Sequence, residues 1–196
     1  MRAVFASRNR HKAEQVRLLL GAVDLVSLDD IAPDLELAEP FDTFEANALA
    51  KARAVVAATG LPAIADDSGI EVDALEGAPG VFSARFAGEG ATDAMNNAKL
   101  IDLIRDVSES ERTCRYRCVA VYVAPDGTEL ISQGSSEGRI VPDGRGHLGF
   151  GYDPHVIPEG ETRTMGEIPI EEKLAFSHRG RAFRALREKL GEAQLI

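Results

Sequence analysis

Only two cysteines occur in the 196 residues, no long hydrophobic run is present, and bases are fewer than acids. Each shortage excludes something. Cys114 and Cys118 stand four apart in Thr113-Cys114-Arg115-Tyr116-Arg117-Cys118-Val119-Ala120-Val121-Tyr122-Val123, an alternating stretch that predicts a strand. At about 3.3 Å per residue their Cα atoms fall roughly 13 Å apart, whereas a disulfide needs less than about 7 Å. With no further cysteine and no nearby histidine, a metal site there is not expected either, and both thiols read as reduced. The longest charge-free run near the middle, residues 54–65, holds Gly60 and Pro62 and is far short of the roughly 20 residues of a membrane span. The apolar stretch before Arg8, Arg10 and Lys12 is too short for a signal peptide, so a cytoplasmic protein with no membrane partner is expected.

Lys and Arg total 22 against 32 Asp and Glu, a formal net charge of −10. A general nucleic-acid binder needs a basic surface, so no nucleic-acid partner is expected. With 44% hydrophobic and 28% charged residues the composition is that of a globular protein, of a size for one domain, 1–196, with two lobes. The charge is uneven. Residues 1–20 carry five bases and one acid, residues 21–50 eight acids and no base, and residues 171–190 six bases and three acids. Half of the basic residues therefore lie in the two end segments, either as solvated helix faces or gathered around a small anion.

No internal repeat or low-complexity tract breaks the chain. A short apolar strand at 3–6 leads through Ser7-Arg8-Asn9 into a helix with Ala13, Val16, Leu19 and Leu20 on one face. A second strand is expected at 25–28 and an acidic loop at 29–42. A helix at 43–58 follows, capped by Asp42 with Glu45 as reciprocal partner and stopped by Gly60-Leu61-Pro62. The strand 63–65 ends at Asp66-Asp67-Ser68-Gly69. Gly77-Ala78-Pro79-Gly80 is a turn, and Thr92 caps a helix to about Asp106. Pro125-Asp126-Gly127 turns the 113–124 strand into another at 128–133, glycines crowd residues 134–151, and a last helix spans 179–190. This order predicts an α/β fold with a mixed sheet.

Several segments could carry chemistry. Ser7-Arg8-Asn9-Arg10-His11-Lys12 lies between strand and helix, where free N–H groups favour phosphate; it serves either an anion or a plain helix cap by Ser7 or Asn9. It lacks the glycines of a P-loop or a dinucleotide fingerprint. Asp66 and Asp67 directly after an apolar strand suit a ligand crevice, and their divergent side chains rule out a shared proton. Either one ligates a hard cation with the other behind it, or both serve an Asp-rich turn. Glu36, Glu39 and Asp42 are candidates for a further carboxylate. In Gly149-Phe150-Gly151-Tyr152-Asp153-Pro154 the aromatics either stack on a purine while the acid bonds the base edge, or pack inward. Lys173 and Ser177-His178-Arg179 flank the last helix, while His147 and His155 read as structural.

In this order the chain resembles the inosine triphosphate pyrophosphatases, also described as dITP/XTP pyrophosphatases or house-cleaning purine NTP pyrophosphatases. The resemblance runs over nearly the full length. Besides the Ser7, Asp66-Asp67-Ser68-Gly69, Phe150 and His178 segments it takes in Thr43-Phe44, Lys51-Ala52, Gly80-Val81-Phe82-Ser83-Ala84-Arg85 and Glu172-Lys173. Two positions depart from it. Arg8 stands where the family's Thr-Gly-Asn-x-x-Lys has glycine, and Pro40-Phe41 follows Glu39 where Thr-Gly is usual.

The resemblance implies an ITPase-like fold: a long central mixed β-sheet with two α/β lobes and an active-site cleft between them, usually as a homodimer. It implies Mg²⁺-dependent hydrolysis of ITP, dITP or XTP to the nucleoside monophosphate and pyrophosphate, a reaction that cleanses the nucleotide pool before incorporation into DNA or RNA. By position, Asp67 matches the catalytic acid and a metal ligand, and Glu39 the other metal carboxylate. Ser7, Arg8, Asn9, Arg10, His11, Lys12, Ser68, Phe150, Gly151, Tyr152, Asp153, Lys173, His178 and Arg179 match substrate contacts.

Overall fold

The computed structural model describes residues 1–196. Six strands form one mixed sheet: β1 (Arg2–Phe5), β2 (Asp24–Ser27), β3 (Ala63–Val72), β4 (Thr113–Val123), β5 (Glu129–Ile140) and β6 (Val156–Pro158), in the order β2-β1-β3-β4-β5-β6. β1 runs parallel to β2 and to β3, with Val4 opposite Val26 and Ala63, whereas β5 and β6 are antiparallel. The helices are α1 (Arg10–Leu19), α2 (Leu28–Ile31), α3 (Phe44–Thr59), α4 (Asp93–Leu103), α5 (Ile170–Phe176) and α6 (His178–Glu192). The α/β mixed sheet expected from the sequence is therefore the one observed.

The chain divides into two compact units. The first comprises Met1–Asp67, Cys118–Gly134 and Arg179–Ile196. Its core joins Val4, Ala6, Leu28, Ala63, Ala65, Val119 and Val121 to the α3 face of Ala48, Leu49, Ala52 and Val55. The alanines of that face are short enough to let the helix lie close to the strands. The second unit comprises Ser68–Arg117 and Ser135–His178, with Ile70, Val72, Leu100, Ile104, Tyr116, Ile140, Tyr152 and Met165 in its core.

Several expected boundaries move. β3 does not end at Asp66-Asp67-Ser68-Gly69 but continues to Val72, because fully buried Ile70 and Val72 resume the apolar alternation beyond the acids. Asp66 and Asp67 are thus mid-strand residues, not turn residues. Residues 29–42 open with α2, whose cap Ser27 accepts from Asp29 N–H and whose first turn carries Asp29 and Asp30, where the helix dipole favours acids. Thr43, not Asp42, caps α3: its backbone is extended and its hydroxyl accepts from Ala46 N–H. α4 ends at Leu103 rather than near Asp106, with Thr92 capping as expected.

The glycine-rich region after residue 134 is partly strand, since β5 extends to Ile140. A Cβ on Gly138 would lie 2.6 Å from Ile157 O, so this position pairs closely with β6 because it carries no side chain. α5 was hidden by its shortness, and α6 begins one residue before Arg179. The hairpin turn stands as read, with Thr128 N–H donating to Asp126 Oδ1 at 2.9 Å. Cys114 and Cys118 are free and buried on β4.

α3 stops where Gly60 enters the left-handed region at φ +68° and its N–H donates to Val56 O. Gly60→Ala places a Cβ in that conformation and is expected to cost about 1 kcal/mol. A lowered urea midpoint checks this, and an unchanged midpoint would contradict the role given to Gly60.

Candidate active site

Successive side chains on a strand point to opposite faces. Ala63 and Ala65 pack against α3, so Asp67 shares their face and Asp66 takes the other. The two acids meet different environments for this reason.

Asp66 is fully buried. Its Oδ2 accepts from Arg179 Nη2 at 3.1 Å and lies 3.1 Å from Lys12 Nζ. Arg179 Nη1 also donates to Gln15 Oε1 at 3.0 Å, and the Cys118 thiol lies 3.9 Å from Asp66 Oδ2. Burial alone would raise the Asp66 pKa, but Lys12, Arg179 and Lys51 outweigh it and hold the carboxyl well below the usual range. Asp66 Oδ1 has no hydrogen-bond partner. The Cys118 thiol is pushed up to about 12, first by burial and then by Asp66, which leaves it protonated and unreactive.

Asp67 faces α3. Asn47 Nδ2 donates to its Oδ2 at 3.1 Å, and Lys51 Nζ lies 3.7 Å from its Oδ1. Burial raises the Asp67 pKa, Lys51 opposes this, Glu39 adds to it, and the net direction is up. Asn47 and Lys51 are four apart on α3, so they stand one above the other on one helix face. Asn47 also pairs with both backbone groups of Phe41, accepting from its N–H at 3.0 Å and donating to its carbonyl at 3.1 Å. This anchors the segment just after Glu39. Lys51 Nζ donates to Glu39 Oε1 at 2.5 Å and to Asp66 O at 2.7 Å. Its burial favours the neutral amine, but Asp67, Glu39 and Asp66 reverse the balance and raise its pKa.

In the Ser7 to Lys12 segment, Asn9 Oδ1 accepts from Lys12 N–H and caps α1, and Ser7 Oγ accepts from Asn9 N–H. Arg8 faces the acidic segment: its guanidinium donates to Asp29 Oδ1 at 2.9 Å, Leu35 O at 2.9 Å and Pro33 O at 2.5 Å. Arg10 and His11 are exposed on the first turn of α1.

The second unit holds another group. Asp153 Oδ2 accepts from Lys173 Nζ at 2.8 Å, and its Oδ1 accepts from the Tyr116 hydroxyl at 3.1 Å. The Tyr116 ring stacks on the His178 imidazole with centroids 4.7 Å apart and planes 15° apart. Gly151 is gripped by α4: its N–H donates to Asp93 Oδ2 at 2.7 Å, and its carbonyl accepts from Asn97 Nδ2 at 2.9 Å. Tyr152 packs inward, its hydroxyl donating to Ser83 O at 2.8 Å, while Phe150 and Ser68 are half-buried. Gly149 has φ +89°, and a Cβ there would lie 2.1 Å from Asp153 Oδ2 and 2.6 Å from Lys173 Nζ. Only glycine leaves that ion pair intact.

Asn47, Lys51, Gln15 and Tyr116 belong to these groups although their sequence positions did not single them out as site residues. For Asn47 and Lys51 a signal exists: two polar residues interrupt the apolar stripe of an alanine-rich helix at a spacing of four.

Fold and geometry together define an α/β protein with a buried acid–base centre, in which neighbouring carboxylates are driven apart in acidity. The chain belongs to the Ham1 family, whose model matches residues 3–189. It is 45% identical over 192 residues to the dITP/XTP pyrophosphatase of Geobacter sulfurreducens, covering 97% of this chain and 96% of that one. To the dITP/XTP pyrophosphatase of Streptomyces coelicolor it is 47% identical over 200 residues, with 97% and 99% covered. Among solved structures, the Staphylococcus aureus Ham1 protein superposes with a TM-score of 0.89 at 33% identity, covering 98% of this chain and all of that one. A nucleoside-triphosphatase / dITP/XTP pyrophosphatase from Mycobacterium abscessus gives a TM-score of 0.77 at 44% identity, with 95% and 98% covered. These findings bear out the resemblance read from the motifs.

The two acids should respond oppositely to neutralisation. Asp66→Asn leaves Lys12 and Arg179 without their buried partner and is expected to cost about 3–5 kcal/mol. Asp67→Asn removes a charge that its surroundings disfavour, so in EDTA its stability should equal or exceed that of the native chain. With a lowered pKa, the Asp66 contribution is complete above the ordinary carboxylate value of roughly 4 and is lost only as pH falls toward the lowered one. Urea titrations of both variants at pH 7 measure the contrast, and equal destabilisation would contradict it.

Proposed function

We propose that the chain is a Mg²⁺-dependent nucleoside triphosphate pyrophosphatase. It cleaves deaminated purine nucleoside triphosphates to the monophosphate and pyrophosphate, as a cytoplasmic homodimer that cleanses the nucleotide pool. The observation that carries this reading is the opposed pair on β3: Asp66 held ionised by Lys12 and Arg179, and Asp67 with a raised pKa beside Asn47, Lys51 and Glu39. A carboxylate shifted upward is matched to taking a proton from water. The names of the relatives supply the substrate class.

The donor set fits Mg²⁺. No group of three or more His, Cys, Asp or Glu side chains is arranged to hold a metal by itself. Glu39 and Asp67 offer two hard carboxylates that already share one cation, the Lys51 ammonium. Mg²⁺ is commonly bound by one or two carboxylates together with water and substrate phosphates, and Glu39 and Asp67 would hold it. When bound it supplies charge neutralisation and polarises phosphoryl oxygens.

Asp67 takes a proton from the attacking water. The water oxygen bonds to phosphorus as the bond joining the α and β phosphates breaks, and pyrophosphate leaves. Asn47 holds the Asp67 carboxylate in orientation, and Lys51 keeps Glu39 and Asp67 from repelling each other. Of the two cations on Asp66, Lys12 is the better placed to reach an incoming phosphate, with 15% side-chain exposure against 3% for Arg179. His178 donates a hydrogen bond to the 6-oxo group of hypoxanthine or xanthine. Adenine presents an amino donor there, which leaves the site donor unmatched.

Asp67→Asn is expected to lose turnover by at least about a thousandfold while remaining folded, with pyrophosphate rather than orthophosphate as the native product. Near-normal activity in that variant, or orthophosphate release by the native enzyme, would refute the assignment. The kcat/KM for ITP should exceed that for ATP by at least about a hundredfold, and equal values would refute the polarity argument.

A further inference from the structure

We propose that Tyr116 is a positioning residue for base selectivity. Its ring holds the His178 imidazole in one plane, and its hydroxyl, together with Lys173, fixes the Asp153 carboxylate. This rests on the reading above, in which His178 addresses the purine.

Three residues of the candidate site come from separate places: Asp153 from a single 3₁₀ turn, Lys173 from α5 and His178 from the start of α6. Tyr116, on β4, touches two of them directly and the third through Asp153. The terminal torsion of a histidine is broad, so an imidazole needs an outside surface to set its plane. The near-parallel stack on Tyr116 provides that surface. A carboxylate with one oxygen anchored can still pivot. Here both are taken, Oδ1 by the tyrosine hydroxyl and Oδ2 by the lysine ammonium.

Tyr152, in the same core, offers a contrast. It sends its hydroxyl to a backbone carbonyl, that of Ser83. Phenylalanine at 116 would fill nearly the same volume with no polar atom to satisfy. The hydroxyl at 116 is directed instead at a side chain of the site. Burial first and Asp153 next push the phenol pKa far up, so it stays protonated and remains a donor across the working pH range.

The experiment compares Tyr116→Leu, Tyr116→Phe and His178→Ala with the native chain in Mg²⁺, measuring kcat and KM on ITP and ATP, with circular dichroism as the folding control. His178→Ala should collapse the ITP preference. Tyr116→Leu should lower the ITP-to-ATP ratio of kcat/KM about tenfold or more. Tyr116→Phe, which keeps the stack, should hold that ratio within about threefold of native while raising KM for ITP about threefold or more, with less effect on kcat. A preference that survives His178→Ala overturns the base-recognition reading and this proposal with it. A preference lost in His178→Ala but kept in folded Tyr116→Leu overturns the proposal alone. Should Tyr116→Leu not fold, Tyr116→Phe decides, and an unchanged KM in that variant overturns the proposal.

Discussion

A fully buried carboxylate in the middle of a strand constrains everything around it. Withdrawing one ion from water costs several kcal/mol even after relaxation, so Asp66 is tolerable only with compensating charge in contact. The first unit supplies that charge from opposite ends of the sequence, Lys12 on α1 and Arg179 on α6. Gln15, one turn beyond Lys12, then takes Arg179 Nη1. The strand, the first helix and the last helix of that unit are thereby fixed to one another through a single side chain. Two of the bases in the end segments, Lys12 and Arg179, thereby gain a structural reason, whatever anion is bound.

Alternation along β3 turns one acidic dipeptide into two different groups. On the α3 face Asp67 shares the Lys51 ammonium with Glu39. Burial first, with the Glu39 carboxylate adding to it, outweighs Lys51, Lys12 and Asn47 and leaves Asp67 less acidic than an ordinary aspartate. The same lysine donates to the Asp66 carbonyl and so ties the two faces of the strand together. Asp66 provides a fixed negative charge and Asp67 a carboxyl of raised pKa, a division that the alternation of an extended strand makes available to adjacent residues.

Much of this was legible in the sequence. Apolar periodicity located α1 and α3, the Thr92 cap located α4, turn chemistry located the hairpin, and the motif order identified the family. Boundaries failed where a charged residue looked like a turn. Asp66-Asp67-Ser68-Gly69 has turn composition, yet its charges are met by Lys12, Arg179 and Lys51, none of them its sequence neighbours, and the strand runs on. The glycines of β5 looked like loop because nothing local reveals that the backbone of Ile157 fills the place of a side chain at Gly138. Arg8 matches a substrate contact by position, and nothing local in the sequence reveals that its guanidinium donates to Asp29, Pro33 and Leu35. Tyr116 reads as one more aromatic in a strand, since its partners are at least 37 residues away.

Buried charge balances where total charge does not. Apart from His178, the buried acidic and basic residues are Asp66, Asp67 and Asp153 against Lys51, Lys173 and Arg179, three acids and three bases. The net −10 of the chain therefore lies on residues that are exposed or half-buried, and it opposes any long polyanion at the surface. Each buried base already touches a carboxylate: Lys51 with Glu39 and Asp67, Lys173 with Asp153, Arg179 with Asp66. An anion approaching these buried bases finds little spare positive charge among them. It must either displace carboxylates from their partners or arrive with cations of its own. Displacement would expose the buried acids to one another, so the charge balance favours cations that accompany the anion over cations drawn from the buried pairs.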